Sequence, residues 1–180
     1  MKAHQSLLAF VSVGILVVFA WILSFRGLPG TPDAHALLSP EWFTNGPFES
    51  SNDRGRYALA YSFLEDHSLQ FSAPIAQFSA PDVARRADGQ YVSLFAPGVS
   101  FLIMPGYLIG KWLGASQMGV FATVGIVALM NALLIYMITK RLGAHALAGA
   151  LGALAFLFAT PAFTYGTSLS QHHFSVFGLL

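Results

Sequence analysis

The sequence contains no cysteine, which excludes a disulfide framework and any metal site built on thiolates. Charged residues are also scarce, because Asp, Glu, Lys and Arg together make up 9% of the chain, against about 25% in a typical soluble domain. No basic run is long enough to indicate nucleic-acid binding. Apolar residues account instead for 55% of the chain, and this composition favours a protein that lives in a membrane.

The few charges are distributed unevenly along the chain. All eight acidic residues lie in one polar stretch between Asp33 and Asp88. Outside the segment 26–95 every charged residue is basic, and these residues are Lys2, Lys111, Lys140 and Arg141. Because very apolar regions flank the polar stretch, we expect any chemistry to take place in a large loop on one side of the membrane.

Long uncharged runs predict the parts that span the membrane. Leu7 to Phe25 is long enough to cross a bilayer, and bulky residues from Trp21 onward argue against a cleaved signal peptide. The predicted regions are a first transmembrane helix (1–25), an outer loop with the candidate active site (26–95), a juxtamembrane or interfacial helix (96–114), two further transmembrane helices (118–140 and 145–165) and the start of a truncated one (171–180). The expected fold class is an all-α, polytopic membrane bundle whose outer loop carries short juxtamembrane helices. Because the last apolar run is too short to span, we expect the chain to be the N-terminal part of a longer protein.

The positive-inside rule predicts an orientation for these spans. Lys2 and the Lys140-Arg141 pair should face the cytoplasm. If the segment 96–114 does not cross, the loop 26–95 and the His172-His173 pair lie together on the outer face. The expected location is therefore the inner or plasma membrane, multi-pass, with the N-terminus in the cytoplasm.

The segment Asp53 to Tyr57 is the first candidate for chemistry. Residue types just before it favour a helix N-terminus, so a short amphipathic helix is predicted over 53–66. A carboxylate at that end, beside two guanidinium groups, should stay ionised and could take a proton from an acceptor hydroxyl. Arg54 or Arg56 could bind a phosphate through two parallel hydrogen bonds. The alternative is a capped surface helix with a local ion pair.

Other chemically useful side chains lie further along the chain. Tyr91 belongs to a turn-rich segment, 88–98, that we expect to dock on the bilayer surface, and plain anchoring is the alternative. One of His172 and His173 could act as a hydrogen-bond donor or acid, or both could be polar residues at a helix start. No metal site is predicted, because adjacent histidines point to different sides of a helix. Asn131, the only amide in the predicted spans, favours an interhelical hydrogen bond.

Together these motifs resemble the GT-C superfamily of membrane glycosyltransferases, with the protein mannosyltransferase, aminoarabinose transferase and lipopolysaccharide-core (Rgt-type) families nearest in pattern. Asp53 followed by Arg56-Tyr57 resembles the Asp-Glu-x-Arg-Tyr of these families, with Arg54 at a position that is often acidic. Further matching features lie in the same order along the chain: Asp88-Gly89, Tyr91-Val92-Ser93, Pro97-Gly98, Gly110 to Gly114 and Lys140 to Gly143. The resemblance covers nearly the whole chain.

The resemblance implies an enzyme that transfers a sugar from a polyprenyl-phosphate donor to a lipid, glycan or protein acceptor on the outer face. Asp53 would be the catalytic base. The residues expected to bind substrate are Arg54, Arg56, Tyr57, Tyr91, His172 and His173. The lipid-linked sugar is the only small molecule implied: no cofactor, metal ligand or nucleic-acid partner is assigned, and the 180-residue chain alone should be inactive. The alternative, from another class, is a small non-catalytic membrane subunit or scaffold in which Asp53 and Arg56 form a structural pair.

Overall fold

The structure is a computed structural model that describes residues 2–24 and 26–180, together with their side chains except those of residues 2–10 and 13. Phe25, the predicted end of the first span, lies outside the described residues. Most of the described chain is helical. The helices are α1 (Lys2–Leu23), α2 (Pro40–Phe43), α3 (Ser51–Glu65), α4 (Ala73–Ser79), α5 (Gly98–Trp112), α6 (Ser116–Arg141), α7 (Ala146–Phe158), α8 (Ala162–Gly166) and α9 (His172–Leu179), with a 3-10 turn at Ala36–Leu38.

A small antiparallel sheet lies within the region 26–95. Its strands are β1 (Gln70–Phe71), β2 (Val83–Arg85) and β3 (Tyr91–Ser93), and their order across the sheet is β1-β3-β2. Tyr91 in the central strand pairs with Phe71 on one side and with Arg85 on the other. The β2–β3 turn contains Gly89 at φ 85°, a backbone conformation that glycine adopts without a steric cost.

The prediction of an all-α, polytopic membrane bundle is wrong. Among the described residues, α6 is the one helix that is long and apolar enough to cross a membrane, and its mean hydropathy is 2.2. The predicted span 145–165 is divided, because α7 ends at Phe158 and only the five-residue α8 follows Pro161. Proline lacks the backbone N–H that a continuing helix needs, so the apolar run does not form one long helix. The segment 26–95, predicted as a loop, is folded and holds α2, α3, α4 and the sheet.

The larger hydrophobic core lies between α3, α4, α5 and α6. Aromatic rings fill much of it, among them Phe48, Tyr57, Phe78, Tyr107 and Phe121. The rings of Phe48 and Tyr57 are 4.8 Å apart between centroids, within the range in which aromatic pairs attract each other. A second, smaller cluster joins α1 to α6 and α7 and consists of Trp21, Ala128, Ala132 and Leu157.

Helices α5 and α6 pack closely because glycines lie where they cross. A Cβ atom at Gly106 would collide with the carbonyl oxygen of Gly119 and with Oγ1 of Thr123. A Cβ atom at Gly110 would lie 2.6 Å from the carbonyl oxygen of Ala115. Small residues at such crossings let two backbones approach, so these glycines set the separation of the two helices.

Several helices carry large apolar side chains on their outward faces. The most exposed on α1, α5, α6 and α7 include Ile15, Leu16, Phe19, Ile22, Leu102, Leu108, Ile109, Trp112, Ile126, Leu133, Leu147 and Leu151. Trp112 is 84% exposed and Leu147 is 71% exposed, values far from those of core residues. Contiguous apolar surface of this kind is uncommon on monomeric proteins that face water on all sides.

Candidate functional site

The start of α3 positions the predicted catalytic residue. Ser50 is the N-cap, and its Oγ accepts a hydrogen bond from the backbone N–H of Asp53 at 3.2 Å. This is the side-chain cap expected of serine, and it fixes the first turn of the helix. The helix then packs into the core, so that the side chain of Asp53 is only 3% exposed.

Asp53 and Arg56 bind the backbone of one residue, Leu169, between them. Oδ1 of Asp53 accepts a hydrogen bond from the N–H of Leu169 at 2.8 Å. Nη1 of Arg56 donates a hydrogen bond to the carbonyl oxygen of Leu169 at 2.6 Å. Because residues three apart lie on one face of a helix, the two side chains reach the same target. We call the segment 167–171, which connects α8 to α9, the strap.

The guanidinium of Arg56 is enclosed on several sides. Arg56 is 8% exposed, and its Nη2 donates a longer hydrogen bond, at 3.5 Å, to Oε1 of Gln171 in the strap. The ring of Phe95 lies against the guanidinium, with 5.0 Å from Cζ to the ring centroid. A Cβ atom at residue 55 would come within 2.8 Å of that ring, so Gly55 makes room for Phe95. A cation held on an aromatic face with little water around it is strongly fixed in position.

Burial dominates the electrostatics of this pair. It raises the pKa of Asp53 above its ordinary value, although the hydrogen bonds from Leu169 and Ser50 and the charges of Arg56 and Arg26 act in the opposite direction. Burial likewise lowers the pKa of Arg56, against the effects of Asp53 and Asp82. Loss of hydration therefore opposes the helix N-terminus and the arginines, which were expected to favour the ionised carboxylate of Asp53.

Asp82 brings a second carboxylate toward Arg56. Its charge opposes the lowering of the Arg56 pKa. Its Oδ2 is buried and has no hydrogen-bond partner among the described residues. A buried carboxylate oxygen without a donor is costly, so this atom could accept a hydrogen bond from a bound molecule.

The other predicted residues of α3 and β3 face away from the strap. Arg54 donates to the carbonyl oxygen of Ala80 at 3.1 Å. Tyr57 is fully buried in the aromatic core, and its hydroxyl lies 3.3 Å from Oγ of Ser116. Tyr91 is half-buried in β3 beneath the guanidinium of Arg85. The structure thus brings Asp53 and Arg56 together but does not add these three side chains to them.

The two histidines have different surroundings. His172 is exposed and lies against the ring of Tyr165, with ring centroids 4.2 Å apart. His173 is buried, and its backbone carbonyl accepts a hydrogen bond from Nδ2 of Asn131 at 2.9 Å, which confirms the interhelical bond predicted for that amide. Within residues 2–24 and 26–180, no group of three or more His, Cys, Asp or Glu side chains could hold a metal ion.

No family model, curated protein or solved structure matches this chain. The resemblance to GT-C glycosyltransferases therefore stays a prediction that rests on the motifs around Asp53, Tyr91 and Pro97.

Sequence reasoning missed three contributors to the site. Leu169 and Gln171 lie more than a hundred residues beyond Arg56 in the chain, and Phe95 belongs to the segment 88–98, in which Tyr91 was the residue predicted to bind substrate. Leu169 contributes its backbone N–H and carbonyl, which every residue type except proline possesses in full. No side-chain pattern could have marked it. The aromatic ring after a β-strand was a weak signal, because cationic groups often lie on such rings.

Proposed function

We propose that this chain is part of a glycosyltransferase that works at a membrane and uses Asp53 as its catalytic base. The donor is a polyprenyl-phosphate sugar, and the acceptor is a hydroxyl of a lipid, glycan or protein. The observation that carries the proposal is the buried carboxylate of Asp53, with a raised pKa, held one helical turn from the guanidinium of Arg56.

The chemistry follows from these two groups. A general base works best when its pKa approaches the working pH, and burial moves the pKa of Asp53 in that direction. The acceptor oxygen forms a bond to the anomeric carbon, its proton goes to Asp53, and the bond from that carbon to the phosphate oxygen breaks. The polyprenyl phosphate leaves with the electron pair, and Arg56 stabilises the negative charge on its oxygens.

A membrane setting is supported by the surface and by α6. The exposed apolar side chains of α1, α5 and α7 suit contact with lipid tails better than contact with water. Lys140 and Arg141 end α6, and the positive-inside rule puts that end in the cytoplasm. Residues of the segment 26–95 would then meet a lipid-linked donor at the outer surface.

One observation favours the second candidate, a non-catalytic membrane subunit or scaffold. Asp53 and Arg56 already have partners within the chain, since they bind the backbone N–H and carbonyl of Leu169. A pair of side chains whose hydrogen bonds are formed within the chain can serve the stability of the fold alone. In that case the segment 26–95 would bind a partner protein, and no proton transfer would involve Asp53.

Replacing Asp53 by asparagine separates the two candidates. Asn keeps an oxygen that can accept the N–H of Leu169, so the fold should persist, but its amide cannot take a proton. We expect sugar transfer to fall by at least about a hundredfold, the usual contribution of a general base. Transfer from a radiolabelled polyprenyl-phosphate sugar would be measured in membranes that contain the protein expressed from its whole gene.

Asp33 provides a matched control for that measurement. Its Oδ1 also accepts a backbone N–H, that of Ala36 at 2.7 Å, but it is exposed at the surface. The substitution Asp33→Asn should leave transfer unchanged. Transfer by the Asp53→Asn protein equal to that of the unmodified protein would exclude Asp53 as the base. No transfer by either protein above that of membranes without it would favour the scaffold.

A further inference from the structure

The strap occupies the two groups that the proposed reaction needs. The N–H of Leu169 is bonded to Asp53, and the carbonyl oxygen of Leu169 is bonded to Arg56. This N–H takes one lone pair of Oδ1, and the carbonyl oxygen takes Nη1, so a substrate that binds at these two atoms competes with the strap. Asp53 and Arg56 are also only 3% and 8% exposed, so we expect the strap to move when a substrate reaches them.

Leu169 makes the shorter hydrogen bonds that fasten the strap to α3. Its side chain is fully buried, in the cluster that also contains Phe121 and Tyr57. The neighbouring hydroxyl groups bond instead to the preceding helix, since Thr167 donates to the carbonyl oxygen of Thr164 and Ser170 donates to that of Tyr165. Release of Leu169 would thus free Asp53 and Nη1 of Arg56, while Gln171 keeps its 3.5 Å hydrogen bond to Arg56 and the strap stays attached to α8.

The backbone of Leu169 also shows what chemistry the site accepts. A carboxylate takes a hydrogen-bond donor and a guanidinium takes an acceptor, and the N–H and carbonyl of Leu169 offer one of each on a single residue. A sugar phosphate ester offers the same combination, because a sugar hydroxyl donates and a phosphate oxygen close to it accepts. Its anionic oxygen would bind Arg56 more strongly than a neutral carbonyl does.

We propose that the strap is an internal substitute for the substrate and that a sugar phosphate ester displaces Leu169, with a hydroxyl on Asp53 and a phosphate oxygen on Arg56. This inference rests on the proposed function, to which it adds the chemical group that the site binds and the movement that admits it. The burial of Asp53 and Arg56 in the present structure is then the closed state of the site.

Hydrogen exchange of the strap tests the displacement directly. The probes are polyprenyl-phosphate glucose in lipid nanodiscs and glucose 1-phosphate in water, added to the protein expressed from its whole gene. We expect the amide of Leu169 to exchange at least about tenfold faster with either probe, as its acceptor Asp53 is taken over. The amides of β3 should be unaffected. Acceleration by the lipid ester alone would add a requirement for the polyprenyl chain, and unchanged or slower exchange with both probes overturns the inference.

Two leucine variants give an independent test. Leu169→Ala weakens the fastening of the strap, so glucose 1-phosphate should bind about tenfold more tightly by calorimetry, because less of the protein is closed. Leu157→Ala removes an equally buried side chain from the smaller cluster and should leave this affinity unchanged. Weaker binding by Leu169→Ala would contradict the displacement. If that variant does not fold, the exchange measurement on the unmodified protein still decides.

The outcomes distinguish this inference from the proposed function. Faster exchange together with normal transfer by the Asp53→Asn protein would mean that sugar phosphates bind at the strap but that Asp53 is not the base. Transfer that depends on Asp53, with a strap that never loosens, would leave the proposed function intact and reject the displacement.

Discussion

Adding one methyl group at Gly106 is expected to destabilise the protein by about 3 kcal/mol, the upper part of the range for overpacked interiors. The new Cβ atom would collide with the carbonyl oxygen of Gly119 and with Oγ1 of Thr123. The hydroxyl of Thr123 can rotate away, but the carbonyl belongs to the backbone of α6. The collision can therefore be relieved only by separating α5 from α6, which opens the packing of the larger core.

The same substitution at Gly152 provides the control. This glycine also lies inside a helix, α7, but a Cβ atom there would have no other atom within 4 Å. Alanine should stabilise the helix by about 0.5–1 kcal/mol, because glycine loses more conformational freedom on folding. Unfolding of the Gly106→Ala and Gly152→Ala proteins would be followed by circular dichroism in mild detergent. Shifts of the same sign and size would contradict the close crossing of α5 and α6.

The apolar runs of the sequence show what hydropathy can and cannot predict. The apolar runs at 96–114 and 118–140 predicted helices, and α5 and α6 lie there. The run at 145–165 was equally apolar, yet it forms two helices because Pro161 lies within it. Hydropathy reports composition over a window, whereas a membrane span also requires an unbroken backbone hydrogen-bond pattern. The prediction of a polytopic bundle failed at that point.

The prediction that the segment 26–95 is a loop failed for a different reason. Its strands contain two or three residues each, which is too few to show an alternating pattern. Only the helix predicted over 53–66 had enough residues for a periodic signal, and α3 lies at Ser51–Glu65. Long-range pairing of short strands is decided by the whole fold and not by the local sequence.

Within the candidate site, the spacing of Asp53 and Arg56 was readable because both lie on one helix. Their common partner, the backbone of Leu169, was not, because a backbone N–H and carbonyl carry no residue-specific signal. The same limit applies to the electrostatics of Asp53. Sequence predicts the helix N-terminus and the adjacent arginines, which favour the charged carboxylate, but it does not reveal the burial that raises the pKa of Asp53.

Removing the guanidinium of Arg56 is the second change with a large expected effect. The substitution Arg56→Met should cost about 3–5 kcal/mol near neutral pH, as expected when one member of a buried charged pair is lost. The carbonyl oxygen of Leu169 loses its donor, and the carboxylate of Asp53 loses the charge that opposes the effect of burial. Methionine keeps much of the buried volume, so the loss reflects hydrogen bonding and charge more than packing.

The loss of folding stability in the Arg56→Met protein should depend on pH. A carboxyl whose pKa is higher in the folded state than in the unfolded state contributes most below its unfolded value, near 3.8, and that contribution is lost as the pH rises through the folded value. The pKa of Asp53 is already raised, and removal of Arg56 raises it further. The Arg56→Met protein should therefore differ least from the unmodified protein below about pH 4. The difference should grow toward pH 7 in denaturant titrations.

Arg54→Met is the matched control, because it removes a neighbouring guanidinium that also donates to a backbone carbonyl, that of Ala80. The charges that act on the pKa of Asp53 are those of Arg56 and Arg26, so this variant should lose about 1–2 kcal/mol at every pH. Parallel pH profiles for the two variants would mean that the charge of Arg56 does not act on Asp53. A difference that grows with pH for Arg56→Met alone would show that the charge of Arg56 stabilises the ionised carboxylate of Asp53.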